Sequence, residues 1–199
     1  IMSTVLVLGG TGRTGGRVLE QLLSRGVNVR AIVRSAGRLP AGAAANRALT
    51  VVEADLLSLT DEELRRHIAG CDAVISCLGH NITLKGVFGA PRDLVTQAVS
   101  RACGAIRRLQ PAEPVKFILM SSVSVNRPDR LDTRRSAGER AVLAVMRGLV
   151  PPARDNQTAA DFLRNSFGTT DSSIRWVAVR SDTLVEGHVT EYTLHEGLV

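Results

Sequence analysis

The sequence predicts an α/β domain in which helices cover both faces of a parallel sheet. Apolar stretches short enough to be strands alternate along the chain with segments of helical periodicity. Those stretches are continuously apolar, which is typical of strands that are buried on both faces. With 199 residues, the chain is long enough for one domain with a full hydrophobic core.

Six stretches are predicted to form the strands, in chain order 4–8, 27–34, 49–55, 72–79, 115–122 and 174–180. Consecutive parallel strands are joined by right-handed crossovers, which place the intervening helices against the sheet. The expected architecture is therefore a doubly wound parallel sheet in three layers.

Periodic apolar residues define the helices between these strands. The first helix has an apolar face that consists of Val18, Leu19, Leu22 and Leu23. A short helix at about 61–69 follows Thr60, with Glu63 three residues on as in a capping box. The helix before the fifth strand carries Leu94, Ala98, Ala102, Ala105 and Leu109 at helical spacing.

The segment at about 126–171 departs from this regular alternation. It is polar and rich in arginine, and it has two helical patches, at about 136–148 and 153–166, around Pro151 and Pro152. We expect a single domain over residues 1–199 with this segment as a less regular helical insertion that could close over a ligand. The chain stops soon after the sixth strand, so we expect that the native protein continues with a further helix.

The charge of the chain favours anionic ligands over nucleic acid. The net charge is +6, and the basic residues are arginines except for Lys85 and Lys116. Aromatic residues make up only 3% of the chain, which leaves few platforms for stacking on bases. The arginine pairs fall on different segments, so we expect a solvated basic surface and an anion site rather than a nucleic-acid interface.

Cysteines, histidines and apolar runs exclude several other classes of protein. Cys71, Cys77 and Cys103 form no C-x-x-C pair, and the four histidines lack metal-ligand spacing, so neither a disulfide framework nor a metal site is expected. The apolar runs are too short to span a membrane, and the chain start does not resemble a signal peptide. We expect a cytoplasmic protein.

A glycine-rich stretch joins the first strand to the first helix. Gly9, Gly12 and Gly15 have the spacing G-x-x-G-x-x-G. Such glycines permit the tight turn, the approach of a pyrophosphate and close packing of helix on strand, while Thr11 and Thr14 add hydroxyl donors. The helix N-terminus attracts phosphate, so the motif predicts a Rossmann-type dinucleotide site. A glycine-rich turn without a ligand is the alternative.

The ends of the next strands refine this prediction. Sites that prefer NAD place an acidic residue after the second strand, whereas this chain has Arg34, Ser35 and Arg38. Guanidinium groups pair with a 2′-phosphate, so NADP(H) is favoured over NAD; exposed loop charge is the alternative. Asp55 after the third strand is positioned for the adenine, with Leu56 beside it, or else it caps a helix.

The stretch 5–40, together with "DAVISCLG" (72–79), "FILMSS" (117–122) and "WVAVR" (176–180), resembles the atypical short-chain dehydrogenase/reductases. The similarity is to the NAD(P)H-binding group that contains biliverdin reductase B (flavin reductase) and the NmrA-like proteins. It covers most of the chain, is strong through about residue 80 and is weaker over 126–171.

This resemblance implies a contact for each part of the cofactor. The pyrophosphate and the neighbouring phosphate would contact Gly9, Thr11, Gly12, Arg13 and Thr14. The 2′-phosphate would contact Arg34 and Arg38, and the adenine would contact Asp55 and Leu56. The ribose would lie beside Leu78 and Gly79. The nicotinamide would face Met120, Ser121 and Ser122. Ser122 matches the serine that lies near the substrate in biliverdin reductase B, and it is the candidate catalytic residue.

The chain also departs from the family. The Tyr-x-x-x-Lys pair that serves alcohol–ketone chemistry in the superfamily is absent, because the one tyrosine, Tyr192, has no lysine after it. Thr183 stands where the family has a histidine, and Arg180-Ser181 stands in place of Arg-Pro. These differences put reduction of a bilin in doubt but do not exclude transfer of hydride to a flavin or a quinone.

Two functions remain in competition. One is an NADPH-dependent reductase acting on a planar, electron-poor small molecule, with Ser122 orienting the nicotinamide or substrate, unless Ser122 only satisfies local backbone. The other is an NmrA-like sensor that binds NADP(H) without turnover; an epimerase ranks last. We expect His80 to be a surface histidine, and a monomer or weak homodimer.

Overall fold

The computed structural model describes residues 3–80, 91–127, 132–181 and 191–195. Its centre is a six-stranded sheet of order β3-β2-β1-β4-β5-β6, in which all neighbouring strands are parallel. The strands are β1 Thr4–Leu8, β2 Asn28–Val33, β3 Leu49–Glu53, β4 Ala73–Ser76, β5 Val115–Ser122 and β6 Ile174–Ser181. The predicted fold class, a doubly wound parallel sheet of the Rossmann type, is confirmed.

Six α-helices and one 3₁₀ turn, Ala36–Arg38, lie among the described residues. The helices are α1 Arg13–Ser24, α2 Ala41–Ala44, α3 Asp61–Ile68, α4 Leu94–Leu109, α5 Ala137–Leu149 and α6 Pro151–Phe167. The last two occupy the segment predicted as an insertion. Helix α6 begins at Pro151 rather than after the two prolines, because proline is tolerated in a first turn whose N–H groups have no intrahelical partner.

Alternate residues of β1 belong to two separate hydrophobic clusters, one on each face of the sheet. Val5 and Val7 pack with buried residues of α1 and α2 on one face of the sheet. Leu6 and Leu8 pack with buried residues of α3, α4 and α6 on the other. This division explains why the strand is continuously apolar, and it produces the three layers that the sequence predicts.

The predicted capping box at the start of α3 is confirmed. The hydroxyl of Thr60 accepts a hydrogen bond from the backbone N–H of Glu63 at 3.2 Å, and the Glu63 carboxylate accepts one from the backbone N–H of Thr60 at 2.8 Å. Both partners lie within one turn, so a local pattern was enough to find them.

Helix α4 is capped from a distant part of the chain. Asp93, its N-cap residue, makes no side-chain capping bond. The carboxylate of Asp155 in α6, 1% exposed, accepts instead from the backbone N–H groups of Val95 and Thr96 at 2.8 and 2.9 Å. It also lies 2.9 Å from Nε2 of His80, whose ring is 4% exposed. The expectation that His80 is a surface histidine is therefore wrong.

None of the helices in the described ranges is both long and apolar enough to cross a membrane.

Replacing Asp155 should destabilise the protein strongly. Asp155→Ala leaves the first N–H groups of α4 and the His80 ring buried without their partner, and we expect the free energy of unfolding to fall by about 3–5 kcal/mol. Urea denaturation followed by circular dichroism measures this change. Asp93→Ala is the matched control and should cost less than about 1 kcal/mol, because Asp93 is exposed. Equal losses in the two variants would contradict the remote cap.

Candidate cofactor site

The predicted site residues lie at or just beyond the carboxyl ends of β1 to β5. Because these strands are parallel, their carboxyl ends share one edge of the sheet. The chain order reverses between β1 and β4, which are neighbours in the sheet although β2 and β3 separate them in sequence. Open α/β sheets bind ligands in the crevice at such a switch point.

Gly9 and Gly15 bring β1 and α1 into direct backbone contact. Gly9 has a φ of +79°, which favours glycine. A Cβ on Gly15 would lie 2.1 Å from the carbonyl oxygen of Gly9, a distance that no side chain tolerates. A Cβ on Gly12 would lie 3.3 Å from the same oxygen, so Gly12 is less constrained by the protein itself. The motif therefore has the helix-packing role that the sequence predicts for Gly15.

The N-terminus of α1 opens at this edge without an acidic residue in its first turn. Gly12 precedes the helix in an extended conformation and supplies no side-chain cap. Its backbone N–H donates to the Gly9 carbonyl at 3.0 Å, which closes the turn. Thr11 and Thr14 are half-buried beside the loop, and Arg13 is exposed. A helix start of this kind suits a phosphate, because its first N–H groups have no intrahelical acceptor.

The end of β4 lies against the glycine loop. A Cβ on Gly9 would lie 2.8 Å from the carbonyl carbon of Cys77 and 3.0 Å from the backbone nitrogen of Leu78. A Cβ on Gly79 would meet no atom of the described residues within 4 Å, so these residues leave the space beside Gly79 open. Burial raises the pKa of the Cys77 thiol to about 12, so Cys77 stays protonated at neutral pH and is not a nucleophile.

The turn after β2 presents two exposed guanidinium groups. Arg34 and Arg38 are exposed, and neither side chain has a hydrogen bond or an ion pair with the described residues. Ser35 lies between them in an extended conformation and begins the 3₁₀ turn. The carboxylate of Glu53, at the end of β3, accepts from the backbone N–H of Ala36 at 2.7 Å and holds the turn. Sequence reasoning missed Glu53, since its partner is 17 residues away.

The segment after β3 is held by local and distant contacts. The Asp55 carboxylate accepts from the backbone N–H of Leu57 at 3.0 Å and so holds the turn after β3, while Thr60 caps the helix that follows. Leu56 is 7% exposed and belongs to the core on the α4 side of the sheet. Arg101 of α4 donates to the carbonyl oxygen of Leu56 at 2.7 Å and to that of Leu59. Contact of Asp55 and Leu56 with an adenine stays a prediction.

The end of β5 places its three predicted residues on two faces. Met120 and Ser122 lie on the same face as Ile118, which packs against the α1 cluster, whereas Ser121 lies on the other. The hydroxyls of Ser122 and Ser124 are 2.6 Å apart, and the Ser122 oxygen also accepts from the Ser124 backbone N–H at 3.3 Å. Ser122 thus has the local role that the sequence left open, and its catalytic role stays a prediction.

The segment after β5 is tied to α6 by a residue that sequence reasoning missed. Gln157 accepts from the backbone N–H of Asn126 at 2.7 Å and donates to the carbonyl oxygen of the same residue at 2.9 Å.

Tyr192 is 77% exposed. In the part of the chain that the structure describes, no cluster of three or more His, Cys, Asp or Glu side chains could hold a metal ion.

Sequence comparisons relate this chain to known proteins. A family model described as NAD(P)H-binding matches residues 9–197. An uncharacterized chloroplastic protein of Arabidopsis thaliana is 34% identical in an alignment 129 residues long, which covers 61% of this chain and 42% of that protein. The chain therefore spans about two fifths of the length of this curated relative.

Solved structures share the fold. An oxidoreductase from Lactococcus lactis superposes with a TM-score of 0.65 at 20% identity, over 94% of this chain and 72% of that one. A candidate NADH-flavin reductase from Streptococcus pneumoniae superposes with a TM-score of 0.55 at 23% identity, over 89% of this chain and 71% of that one. At these identities the similarity shows the fold alone.

The contact between Gly9 and Gly15 gives a prediction for the dinucleotide. Gly15→Ala must push α1 away from β1, and we expect the dissociation constant for NADPH to rise at least tenfold, since overpacking costs about 1–3 kcal/mol. Titration of NADPH fluorescence measures this constant. Gly42→Ala is the control, because a Cβ there meets nothing within 4 Å. Unchanged binding in Gly15→Ala would show that the ligand does not use this loop.

Proposed function

The chain belongs to the NAD(P)H-binding family, and we propose that it is an NADPH-dependent reductase that transfers hydride to a planar, electron-poor acceptor such as a flavin or a quinone. The observation that carries this proposal is the glycine-rich loop between β1 and α1, which lies at the switch point of the sheet. There Gly9 and Gly15 hold the N-terminus of α1 against the end of β1. That arrangement suits the pyrophosphate of a dinucleotide.

The preference for NADPH rests on the turn after β2. Arg34 and Arg38 offer two positive charges where a ribose 2′-phosphate would lie, and a guanidinium pairs with phosphate through two parallel hydrogen bonds. The nearby carboxylate of Glu53 is bonded to the Ala36 backbone N–H, so it fixes the turn. In this proposal Glu53 positions the arginines and does not itself contact the ribose.

Reduction of a flavin or quinone requires little from the protein beyond positioning. The bound nicotinamide would supply a hydride, which is two electrons and a hydrogen nucleus, and solvent would supply the proton that completes the reduced acceptor. The residues of this chain would hold the two rings face to face and exclude water. Ser122 shares a face with Met120 at the end of β5, and its hydroxyl would orient the nicotinamide amide or an acceptor oxygen.

A sensor of the NADP(H) pool is the alternative, and the surroundings of Ser122 favour it. The Ser122 hydroxyl is engaged by Ser124 at 2.6 Å, and the chain's only tyrosine, Tyr192, is exposed. Of the described residues, neither Ser122 nor Tyr192 is placed to act as a general acid. A sensor would bind the cofactor without turnover and would change its affinity for a protein partner with the redox state.

Compartment and oligomeric state stay part of the proposal. We propose a cytoplasmic monomer or weak homodimer that acts on a small molecule and not on nucleic acid. The Arabidopsis relative is chloroplastic, so the location needs its own measurement.

Replacing Arg34 should lower the affinity for NADPH but not the affinity for NADH. We expect Arg34→Ala to weaken NADPH binding about ten- to a hundredfold and to leave NADH nearly unchanged, because hydrogen bonds to charged groups contribute about 1.5–3 kcal/mol. Fluorescence titration with both cofactors measures the two constants. Arg47→Ala, another exposed arginine before β3, is the control and should change neither. If Arg34→Ala weakened the binding of NADPH and of NADH equally, the proposed contact with the 2′-phosphate would be contradicted.

Turnover decides between the reductase and the sensor. We expect the protein to consume NADPH, followed by its absorbance, in the presence of flavin mononucleotide (FMN) or a simple quinone, and to use NADH poorly. Arg34→Ala serves as the control for a specific reaction, because it should slow NADPH consumption at low cofactor concentration. Tight NADPH binding without turnover of any acceptor would favour the sensor.

A further inference from the structure

Helix α5 turns arginine side chains toward the protein and apolar side chains toward solvent. Its arginines Arg140 and Arg147, together with Leu143 between them, are half-buried on one face. Its apolar residues lie on the exposed side, namely Val142 at 61%, Val145 at 58%, Met146 at 40% and Leu149 at 74% exposure. A helix that covers a core normally buries its apolar face. The inward arginines therefore require a polar partner on the inner side of α5.

That inner side is a cavity of about 160 Å³ between α5, the described chain after β5 and the end of β6. Val123, Val125, Asp132, Arg140, Arg147 and Arg180 are among its lining residues. Val123 and Val125 give the cavity apolar wall atoms, whereas Arg140 and Arg147 of α5 and Arg180 of β6 make it basic.

Among the described residues that line the cavity, four are arginines and one, Asp132, is acidic. Asp132 lies 3.6 Å from both the Arg135 and the Arg180 guanidinium. Arg140 donates to the backbone carbonyls of Asp132 and Arg135, and Arg147 donates to that of Ser124 at 2.8 Å. Within the described ranges, neither Arg140 nor Arg147 forms an ion pair. Their two positive charges face the cavity with only neutral oxygens as partners.

The cavity also adjoins the proposed reaction site. Arg147 holds the carbonyl oxygen of Ser124, and the Ser124 hydroxyl lies 2.6 Å from that of Ser122, which ends β5. Arg180, near the end of β6, donates to the carbonyl oxygen of Val123 at 2.9 Å. A ligand whose ring lay at the end of β5 would therefore reach the cavity with a short side chain.

We propose that this cavity binds the anionic group of the acceptor, a phosphate or a carboxylate, through Arg140 and Arg147. The inference rests on the proposed reductase function and narrows its substrate class to planar acceptors that carry a negatively charged side chain. Two guanidinium groups with neutral partners suit such a group, because each can still donate charge-assisted hydrogen bonds. Uncharged acceptors would gain nothing from the cavity.

The test compares FMN with riboflavin, which lacks the phosphate. With NADPH as the donor, we expect kcat/KM to be higher for FMN, and the ratio of the two values to fall about tenfold or more in Arg147→Gln and in Arg140→Gln. Arg147→Lys keeps the charge and should keep most of the ratio. The control Arg134→Gln removes the same charge from an exposed neighbour and should leave the ratio unchanged. Thermal melting of each variant identifies any that fail to fold.

The outcomes distinguish this inference from the proposed function. If FMN and riboflavin react equally well, or if Arg134→Gln lowers the ratio as much as Arg147→Gln does, the anion site is overturned and the reductase stands. If no acceptor is reduced, quenching of flavin fluorescence in the presence of NADP+ measures binding directly. Tighter binding of FMN than riboflavin that depends on Arg147 would then keep the anion site while the reductase proposal fails; equal binding would overturn both.

Discussion

The contact between the Gly9 carbonyl and the Gly15 Cα is the constraint on which the site depends. A Cβ at position 15 would lie 2.1 Å from that oxygen, so the helix and the strand meet without any side chain between them. The contact starts α1 directly at the end of β1 and still lets Leu19 and Leu23 reach the core one and two turns later. A phosphate at this edge could therefore approach the backbone N–H groups closely.

Polar side chains from one face of the sheet fix the loops around this contact. Arg101 of α4 holds the loop after β3, Asp155 of α6 holds His80 after β4, and Gln157 of α6 holds Asn126 after β5. Each of these bonds satisfies a group that would otherwise be costly to bury. The carboxyl edge is thus tied to α4 and α6.

Features with a local cause could be predicted from the sequence, and features with a distant cause could not. The strand at 115–122 and the capping box of Thr60 and Glu63 depend on neighbouring residues, and both are confirmed. Asp155 caps α4 across 59 or 60 residues, a contact that no periodicity reveals. The sequence predicts His80 at the surface for the same reason, because its burial depends on that distant carboxylate. The glycine loop was predictable since its spacing and its contact occur in one short stretch.

The arginines of the chain differ in their internal partners, and this difference bears on how readily each can turn toward a ligand charge. A net charge of +6 alone does not identify an anion site, because many guanidinium groups serve as donors to backbone carbonyls. Arg30, Arg101 and Arg107 bind carbonyl oxygens far along the chain and so act as links between elements. Arg34 and Arg38, by contrast, have no side-chain hydrogen bond to the described residues, although folding exposes them together at the carboxyl edge of the sheet. Because no hydrogen bond to the described residues holds either side chain, an anion at this edge would not have to displace an internal partner, although each arginine would lose rotamer entropy on binding.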